Sequence, residues 1–192
     1  MIELDRQLTL AINSLHCPAS DAIWIFMSEI WVWFPLYALI LFLIIRRLGW
    51  KKGLIFIGFI AIAFFLCERC ANITKNTVQR LRPCEDPDML AAGIRVLLPQ
   101  GGKWGFFSGH SCNSFCIATG SYLALRNDKR LKYRGYAIGI YLWAALVAIS
   151  RVFVAKHFLG DILVGAVVGI LIAGLCSCAA KKITERQGQF PS

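Results

Sequence analysis

Negative charge is scarce in this chain of 192 residues, which has 11 Asp and Glu against 21 Lys and Arg and a formal net charge of +10. In a soluble protein such a balance would favour nucleic-acid binding. However, only 17% of the residues are charged, 57% are hydrophobic and the mean hydropathy is +0.60. Because this is too apolar for an ordinary soluble domain, we expect a polytopic membrane protein with no nucleic-acid partner.

Neither a metal site nor a leader is expected from the sequence. Among the eight cysteines, Cys67 and Cys70 form a CxxC pair inside an apolar run, without a second pair at zinc-knuckle spacing. Four others lie in apolar segments and are expected to pack as small hydrophobic residues: Cys112, Cys116, Cys176 and Cys178. A disulfide that involves Cys17 or Cys84 is left open. No cleavable signal peptide is expected, because the first 15 residues are charged and lack a continuous apolar core.

Long apolar runs fill most of the remaining chain. Each is close to the ~20 residues that a helix needs to cross a bilayer, and together they predict five transmembrane helices: Ile23 to Ile45, Gly53 to Ile73, Phe106 to Leu125, Tyr136 to Val154, and Phe158 to Ala180. Ahead of them, one helical face would carry Leu4, Leu8, Ala11, Ile12 and Leu15. This pattern predicts an amphipathic interfacial helix, with a soluble cap helix as the alternative. The expected fold is an all-α membrane bundle, one domain over residues 1–192.

Basic segments predict how this bundle is oriented. The segments 46–52, 126–134 and 181–186 are strongly basic and would share one side, which should be cytoplasmic. The N-terminus, the long loop after residue 75 and the turn near 151–157 would then lie outside. Seven further cations fall on that outer side, where lipid headgroups or a bound anion would explain them: Lys75, Arg80, Arg82, Arg95, Lys103, Arg151 and Lys156.

The segment KNTVQRLRP, residues 75–83, carries the first cluster of these cations. Lys75 and Arg82 are seven residues apart, so they share a face if the helix continues. Pro83 disfavours the helical conformation at Arg82, which predicts that the second span ends there. A guanidinium and an ammonium group together suit phosphate oxygens, although basic residues also flank many membrane helices.

The stretch GFFSGHSCNSF, residues 105–115, places polar groups in a run that otherwise looks membrane-buried. Ser108 can cap the third span, and Gly109 allows close approach to the backbone. The N–H groups and dipole of a helix start favour an anion there, with His110 beside it. The alternative for a lone membrane histidine is an interhelical hydrogen bond, the role expected for Ser111, Asn113 and Ser114.

The stretch SRVFVAKHFLGD, residues 150–161, places His157 and Asp161 four residues apart on one helical face. Asp161 can accept from one ring nitrogen, which leaves the other unprotonated, as a nucleophile requires. Arg151 lies across the turn and can hold an anion beside the ring. The alternative is a buried pair that only stabilises the bundle. Because all three clusters fall at outer helix ends, they can converge on one site for phosphoryl transfer.

In this order and spacing the segments resemble the motifs of the type-2 phosphatidic acid phosphatase superfamily, which includes vanadium haloperoxidases. The resemblance covers residues 75–161. The matching residues are Lys75, six residues, Arg82-Pro83; then Ser108-Gly109-His110; then Ser150-Arg151, five residues, His157, three residues and Asp161. Phe107 stands where the family usually has proline, and we expect altered helix entry rather than lost chemistry. Membrane members commonly have six spans, against five predicted here.

The resemblance implies a role for each matching residue. His157 would attack phosphorus and form a phosphohistidine, Asp161 would orient it, and His110 would protonate the leaving oxygen and then activate water. The phosphate oxygens would be held by Lys75, Arg82, Ser108, Gly109 and Arg151. Neither a cofactor nor a divalent metal is expected, because family members of this type do not need one.

The function expected from these motifs is hydrolysis of a lipid-linked phosphate or diphosphate on the periplasmic face, by a bacterial enzyme of the membrane-embedded branch. Undecaprenyl diphosphate is the first choice of substrate. Phosphatidylglycerophosphate, phosphatidate and lipid A are the alternatives, because the motifs bind only the phosphate. A non-catalytic lipid-phosphate binder or transporter is the alternative of another class, although a transporter would show paired broken helices. The sequence does not predict the oligomeric state.

Overall fold

The computed structural model describes residues 2–99 and 101–187, and over those ranges the chain is helical with connecting loops. An isolated antiparallel bridge between Leu81 and Trp104 is the one β pairing in these ranges, so the predicted all-α class is confirmed. In chain order the elements are α1 (Ile2–Ser14), α2 (Pro18–Ser28), a 3-10 turn (Trp31–Trp33), α3 (Phe34–Leu48), α4 (Trp50–Val78), α5 (Pro87–Ala91), α6 (Gly109–Leu125), α7 (Arg134–Phe153) and α8 (Leu159–Gln187).

Four segments in the described ranges are long and apolar enough to cross a membrane: Trp31–Leu48, Trp50–Val78, Arg134–Phe153 and Leu159–Arg186. This confirms a polytopic membrane protein. The predicted third span corresponds to α6, which has 17 residues because the chain from Phe106 to Ser108 stays outside the helix. α6 is therefore shorter than the four segments that qualify as spans.

The first predicted span, Ile23 to Ile45, is wrong as a continuous helix. α2 ends at Ser28, and the 3-10 turn precedes α3. Pro35 lies in the first turn of α3, where its missing N–H is harmless, whereas inside a longer helix it would remove a hydrogen bond. The break matters for the site, because it turns Ser28 toward the interior, where it is buried.

α6 lies at the centre of the bundle and packs against α3, α4, α7 and α8. Its polar side chains therefore meet other helices. Ser111 Oγ donates to the carbonyl of Ile162 in α8 at 2.6 Å, and Ser114 Oγ donates to the carbonyl of Ala144 in α7 at 3.3 Å. These are the interhelical hydrogen bonds expected for the serines, and they explain why polar groups are tolerated in an apolar run.

Two glycines of α8 allow it to touch the backbone of α6. A Cβ on Gly169 would lie 2.1 Å from the carbonyl oxygen of Cys112, and one on Gly165 would lie 2.6 Å from the carbonyl oxygen of Ser108. Small residues at a membrane helix interface permit such an approach. The contact brings the start of α6 against the helix that carries Asp161.

Gly169→Ala is expected to destabilise the protein by about 1–3 kcal/mol, the usual cost of overpacking, because α8 must move away from α6. The measurement is thermal unfolding in detergent. Gly174→Ala is the matched control, since it lies in the same helix and a Cβ there would meet nothing within 4 Å. Its unfolding temperature should stay level or rise slightly. Equal unfolding temperatures for the two variants would contradict the close backbone contact.

α1 is helical, as predicted, and its polar side faces the protein. Thr9 and Asn13 are buried, whereas Leu4, Leu8 and Leu15 are exposed. An exposed apolar stripe on a short helix at the end of a membrane bundle is typical of an interfacial helix. The interfacial position of α1 stays a prediction.

The proline and glycine content of the loop after α4 predicts irregular structure there. This is wrong for α5, whose first turn is capped by Asp86: its Oδ1 accepts from the backbone N–H of Asp88 at 3.0 Å. The rest of the loop folds back, so that Gly105 N donates to the carbonyl of Arg80 at 2.8 Å. The two ends of the loop are therefore held together beside the helix ends.

The three basic segments meet at one end of the bundle, as predicted. They line a single cavity of about 770 Å³, which includes Arg47, Lys52, Lys129, Arg130 and Lys181. The three motifs lie at the opposite end. The sequence therefore predicted correctly which loops share a side, and the cytoplasmic location of the basic side stays a prediction.

Candidate active site

The first motif leaves its helix earlier than predicted. α4 ends at Val78 rather than near Arg82, because Gln79 adopts the left-handed conformation with φ 51°. The loop then fixes Arg82, whose backbone N and Nε donate to the carbonyls of Lys103 and Trp104, both at 3.2 Å. The end of its guanidinium lies over the chain at Gly101, where a Cβ would be 3.6 Å from Nη1.

The second motif contacts the other two. Ser108 caps α6 as predicted, with Ser111 N donating to Ser108 Oγ at 3.4 Å. The backbone N of Ser108 donates to the carbonyl of Asp161 at 3.1 Å. A Cβ on Gly109 would lie 3.6 Å from Lys75 Nζ. The start of α6 therefore lies between the lysine of the first motif and the aspartate of the third.

The third motif forms the tight turn between α7 and α8. Backbone N–H groups of Lys156 and His157 donate to the carbonyl of Arg151 at 2.9 and 3.2 Å, and Ala155 takes a positive φ of 59°. His157 is 2% exposed and Asp161 is fully buried. The turn therefore holds the histidine beside the first turn of α8.

The predicted hydrogen bond between His157 and Asp161 is not closed. Nδ1 lies 3.6 Å from Asp161 Oδ2, and within the described part of the chain this nitrogen has no hydrogen-bond partner. Oδ2 instead accepts from the backbone N–H of Phe158 at 3.0 Å. The two side chains are neighbours as expected, and a shift of about half an ångström would close the bond. Such bonds often tighten only when substrate binds.

Burial keeps the pKa of His157 well below its usual value, and the positive charges of Arg151, Arg82 and Lys75 lower it further. The ring is therefore neutral near pH 7 and keeps a lone pair on one nitrogen. All three predicted phosphate-binding cations act on this one ring. The structure thus brings together residues from three separate segments of the chain.

Arg151 is held from the break between α2 and α3. Its Nη1 donates to Ser28 Oγ and, at 3.3 Å, to the Ser28 carbonyl. Nε is buried without a partner among the residues that the structure covers. Sequence reasoning missed Ser28, because the two residues are 123 positions apart and no local pattern connects them.

Two cations on the outer side have protein partners rather than an anion. Arg80 binds the carboxylates of Asp161 at 2.8 Å and Asp5 at 2.7 Å, and Arg95 pairs with Asp21. Carboxylates of the protein itself therefore account for the positions of both arginines. The signal that could have found Arg80 is its position, two residues before Arg82 and on the same side of the membrane.

Lys156 is a further cation at the site that the motifs do not include. It is 4% exposed, and its Nζ donates to the carbonyl of Pro99. A Cβ on Gly101 would lie 3.9 Å from Lys156 Nζ and 3.6 Å from Arg82 Nη1, so the two cations lie side by side. The residue directly before the histidine therefore adds positive charge next to the predicted phosphate-binding residues.

An apolar groove of about 830 Å³ joins the site from the side of α3, α4 and α6. Its polar end carries Ser28, Glu29, Glu68, His110, Asn113 and Ser114, and Asn113 Nδ2 donates to Glu68 Oε1. The rest of the groove is apolar and includes Trp33, Phe34, Tyr37, Ile57, Ile60 and Phe64. Through His110 and through Ser28, which holds Arg151, the polar end borders the predicted site, and the apolar walls fit the hydrocarbon chain of a phosphate ester.

Residues 52–185, which include all three motifs, match a protein-family model that is described as the PAP2 superfamily. The chain belongs to the PAP2 superfamily. This PAP2 protein is 30% identical over 186 residues to lipid A 4'-phosphatase from Bacteroides thetaiotaomicron. The aligned region covers 96% of this chain and 80% of the relative. It is 28% identical over 173 residues to lipid A 4'-phosphatase from Porphyromonas gingivalis, covering 90% and 71%.

Solved structures agree with this membership. The PAP2 phosphatidylglycerolphosphate phosphatase from Bacillus subtilis superposes with a TM-score of 0.70 at 21% identity, covering 98% of this chain and 88% of that one. LpxE from Aquifex aeolicus gives a TM-score of 0.63 at 26% identity, covering 88% and 92%. The family inferred from the three motifs is confirmed, and the chain is a membrane-embedded PAP2 phosphatase.

Proposed function

We propose that this PAP2 phosphatase removes a phosphate group from a lipid A type glycolipid at the periplasmic face of the inner membrane. The carrying observation is the groove, which runs from His110 and from Ser28, the residue that holds Arg151, along a long apolar wall. A lipid can place its phosphate among the cations while its chains stay along α3 and α4. The two lipid A 4'-phosphatases to which the chain is similar support this choice of substrate.

The polar end of the groove supports a sugar-linked phosphate. The carboxylate of Glu68 and the amide of Asn113 line it beside His110. Asn113 Oδ1 is buried and has no hydrogen-bond partner in the described ranges. These acceptors suit the hydroxyl and amide N–H groups that surround a phosphate on an acylated glucosamine. A prenyl phosphate has no such donors beside its phosphate.

The proposed chemistry has two steps. The ring nitrogen of His157 remote from Asp161 forms a bond to phosphorus while the ester P–O bond breaks, and His110 gives a proton to the leaving oxygen. Water then attacks the phosphohistidine, His110 takes a proton from it, and phosphate leaves with His157 neutral again. Lys75, Arg82 and Arg151 balance the negative charge, and the cap of α6 at Ser108 and Gly109 supplies N–H donors.

Undecaprenyl diphosphate is the second candidate, and Lys156 is the observation that favours it. This lysine adds a buried cation next to Arg82, where a second phosphate group would meet it. Relative turnover of the two lipids separates the candidates.

Phosphate release by the detergent-purified protein tests the proposal. The panel is lipid A, undecaprenyl diphosphate, phosphatidylglycerophosphate and phosphatidate, with EDTA and without it. We expect kcat/KM for lipid A to exceed each of the others by about tenfold or more, and we expect EDTA to have no effect. Highest kcat/KM on undecaprenyl diphosphate would select the second candidate. Folded protein that releases phosphate from none of the four lipids would refute both.

A further inference from the structure

Arg80 joins two carboxylates from distant parts of the chain. Its Nη1 donates to Asp161 Oδ1 at 2.8 Å, and its Nη2 donates to Asp5 Oδ2 at 2.7 Å. The guanidinium also stacks on the ring of Phe158, with its carbon 3.9 Å from the ring centroid. Both terminal nitrogens therefore point at protein carboxylates, and the flat face is covered by the residue that follows His157.

Asp5 connects the same arginine to the start of α8. Its Oδ1 accepts from the backbone N–H of Gly160 at 2.7 Å, and Thr9 Oγ1 accepts from the N–H of Leu159 at 3.0 Å. The first N–H groups of a helix have no partners within the helix, so α1 supplies the acceptors that a preceding residue usually provides. A Cβ on Gly160 would lie 2.9 Å from Asp5 Oδ2, which explains the glycine there.

We propose that Arg80 and Asp5 are positioning residues of this phosphatase, which hold the Asp161 carboxylate in place beside His157. The inference depends on the proposed function, because it assigns a use to the His157–Asp161 pair. Asp161 Oδ2 must swing by about half an ångström to reach His157 Nδ1. Arg80 holds the other oxygen, Oδ1, and so fixes the pivot of that movement.

The occupied nitrogens of Arg80 distinguish its task from that of Arg82. The terminal nitrogens of Arg80 bind two carboxylates, whereas the terminal nitrogens of Arg82 face the loop at Gly101 and Gly102. Loss of Arg80 should therefore disturb the chemical step and leave substrate binding nearly unchanged. Charge-assisted hydrogen bonds to a buried carboxylate are strong, so the expected loss in kcat is about 10- to 100-fold.

The experiment compares Arg80→Gln, Arg80→Lys and Asp5→Asn with the control Arg95→Gln. The control removes an arginine from the same side of the molecule, where it pairs with Asp21 instead of Asp161. In Arg80→Gln we expect kcat to fall by about 10- to 100-fold with KM within about twofold. Arg80→Lys should recover part of the loss, and Arg95→Gln should stay within about twofold. The double variant Arg80→Gln/Asp5→Asn should lose less than the product of the single losses.

A second measurement needs no substrate. The ¹⁵N chemical shifts of the His157 ring report its tautomer and its hydrogen bonds, and they should change in Arg80→Gln and Asp5→Asn and stay constant in Arg95→Gln. Unchanged ring shifts, or a raised KM with unchanged kcat, would overturn the positioning role. Absence of turnover by the wild-type protein would reject the proposed function instead, and the ring shifts would still decide the role of Arg80. If Arg80→Gln fails to fold, Asp5→Asn answers the question, because asparagine keeps an acceptor for Gly160.

Discussion

His157→Asn is expected to abolish turnover, with kcat lower by about 10⁴-fold or more. Asparagine keeps a polar side chain of moderate size in the buried turn, but it has no ring nitrogen that can attack phosphorus. The measurement is phosphate release from lipid A at equal amounts of folded protein. His16→Asn is the control, because His16 is exposed and contacts Arg95 away from the motifs.

The covalent step gives this prediction a second measurement. Wild-type protein quenched in base during turnover should carry phosphate on histidine, which survives base and is released by acid, and His157→Asn should carry none. Turnover by His157→Asn within about tenfold of wild type would remove the nucleophile from the mechanism. The low pKa of His157, which follows from burial and three nearby cations, adds a pH dependence. The acid side of the kcat/KM profile should fall below pH 6.5, because the ring must stay unprotonated to attack.

His110→Asn carries the second largest effect, a loss of about 10²- to 10⁴-fold in kcat on lipid A. The sugar alkoxide is a poor leaving group and needs the proton that His110 would give. An activated ester such as p-nitrophenyl phosphate leaves without a proton. We therefore expect the variant to form the phosphoenzyme from p-nitrophenyl phosphate at nearly the wild-type rate.

Pre-steady-state kinetics separates the two roles of His110. Since the same residue should activate water in the second step, the variant should release a burst of p-nitrophenol and then turn over slowly. Asn113→Ala, one helical turn away on α6, is the control with p-nitrophenyl phosphate, which has no sugar for Asn113 to contact, and it should show no burst. If the His110 variant forms p-nitrophenol from p-nitrophenyl phosphate as slowly as it releases phosphate from lipid A, its role as the acid is contradicted.

The sequence predicted the parts of the site whose geometry is local. The cap at Ser108 and the four-residue spacing of His157 and Asp161 depend on one turn of helix, so their spacing in the chain fixes their geometry. The predicted boundaries were less accurate. α4 ends where Gln79 reverses the chain, and glutamine gives no strong signal for a left-handed residue. Pro35, by contrast, was a readable signal for the break between α2 and α3.

Contacts between segments that are distant in the chain could not be predicted from the sequence. Ser28 holds Arg151 and Asp5 holds Arg80 only because packing of whole helices brings them together. The approach of α8 to α6 belongs to the same class, because a glycine in an apolar run does not reveal which backbone it will touch. Charge alone indicated that the outer cations had a role. Only the fold distinguished the arginines that pair with carboxylates from the three cations around His157.

The contact between Gly169 and Cys112 has a consequence for how a lipid enters. Because the backbones of α6 and α8 are in direct contact there, the two helices are expected to move as one rigid body. An incoming lipid tail would then displace aromatic side chains of the 3-10 turn and α3, such as Trp33 and Phe34, while the reacting groups keep their relative positions. Lateral entry from the bilayer and a rigid catalytic frame are therefore compatible in this small protein.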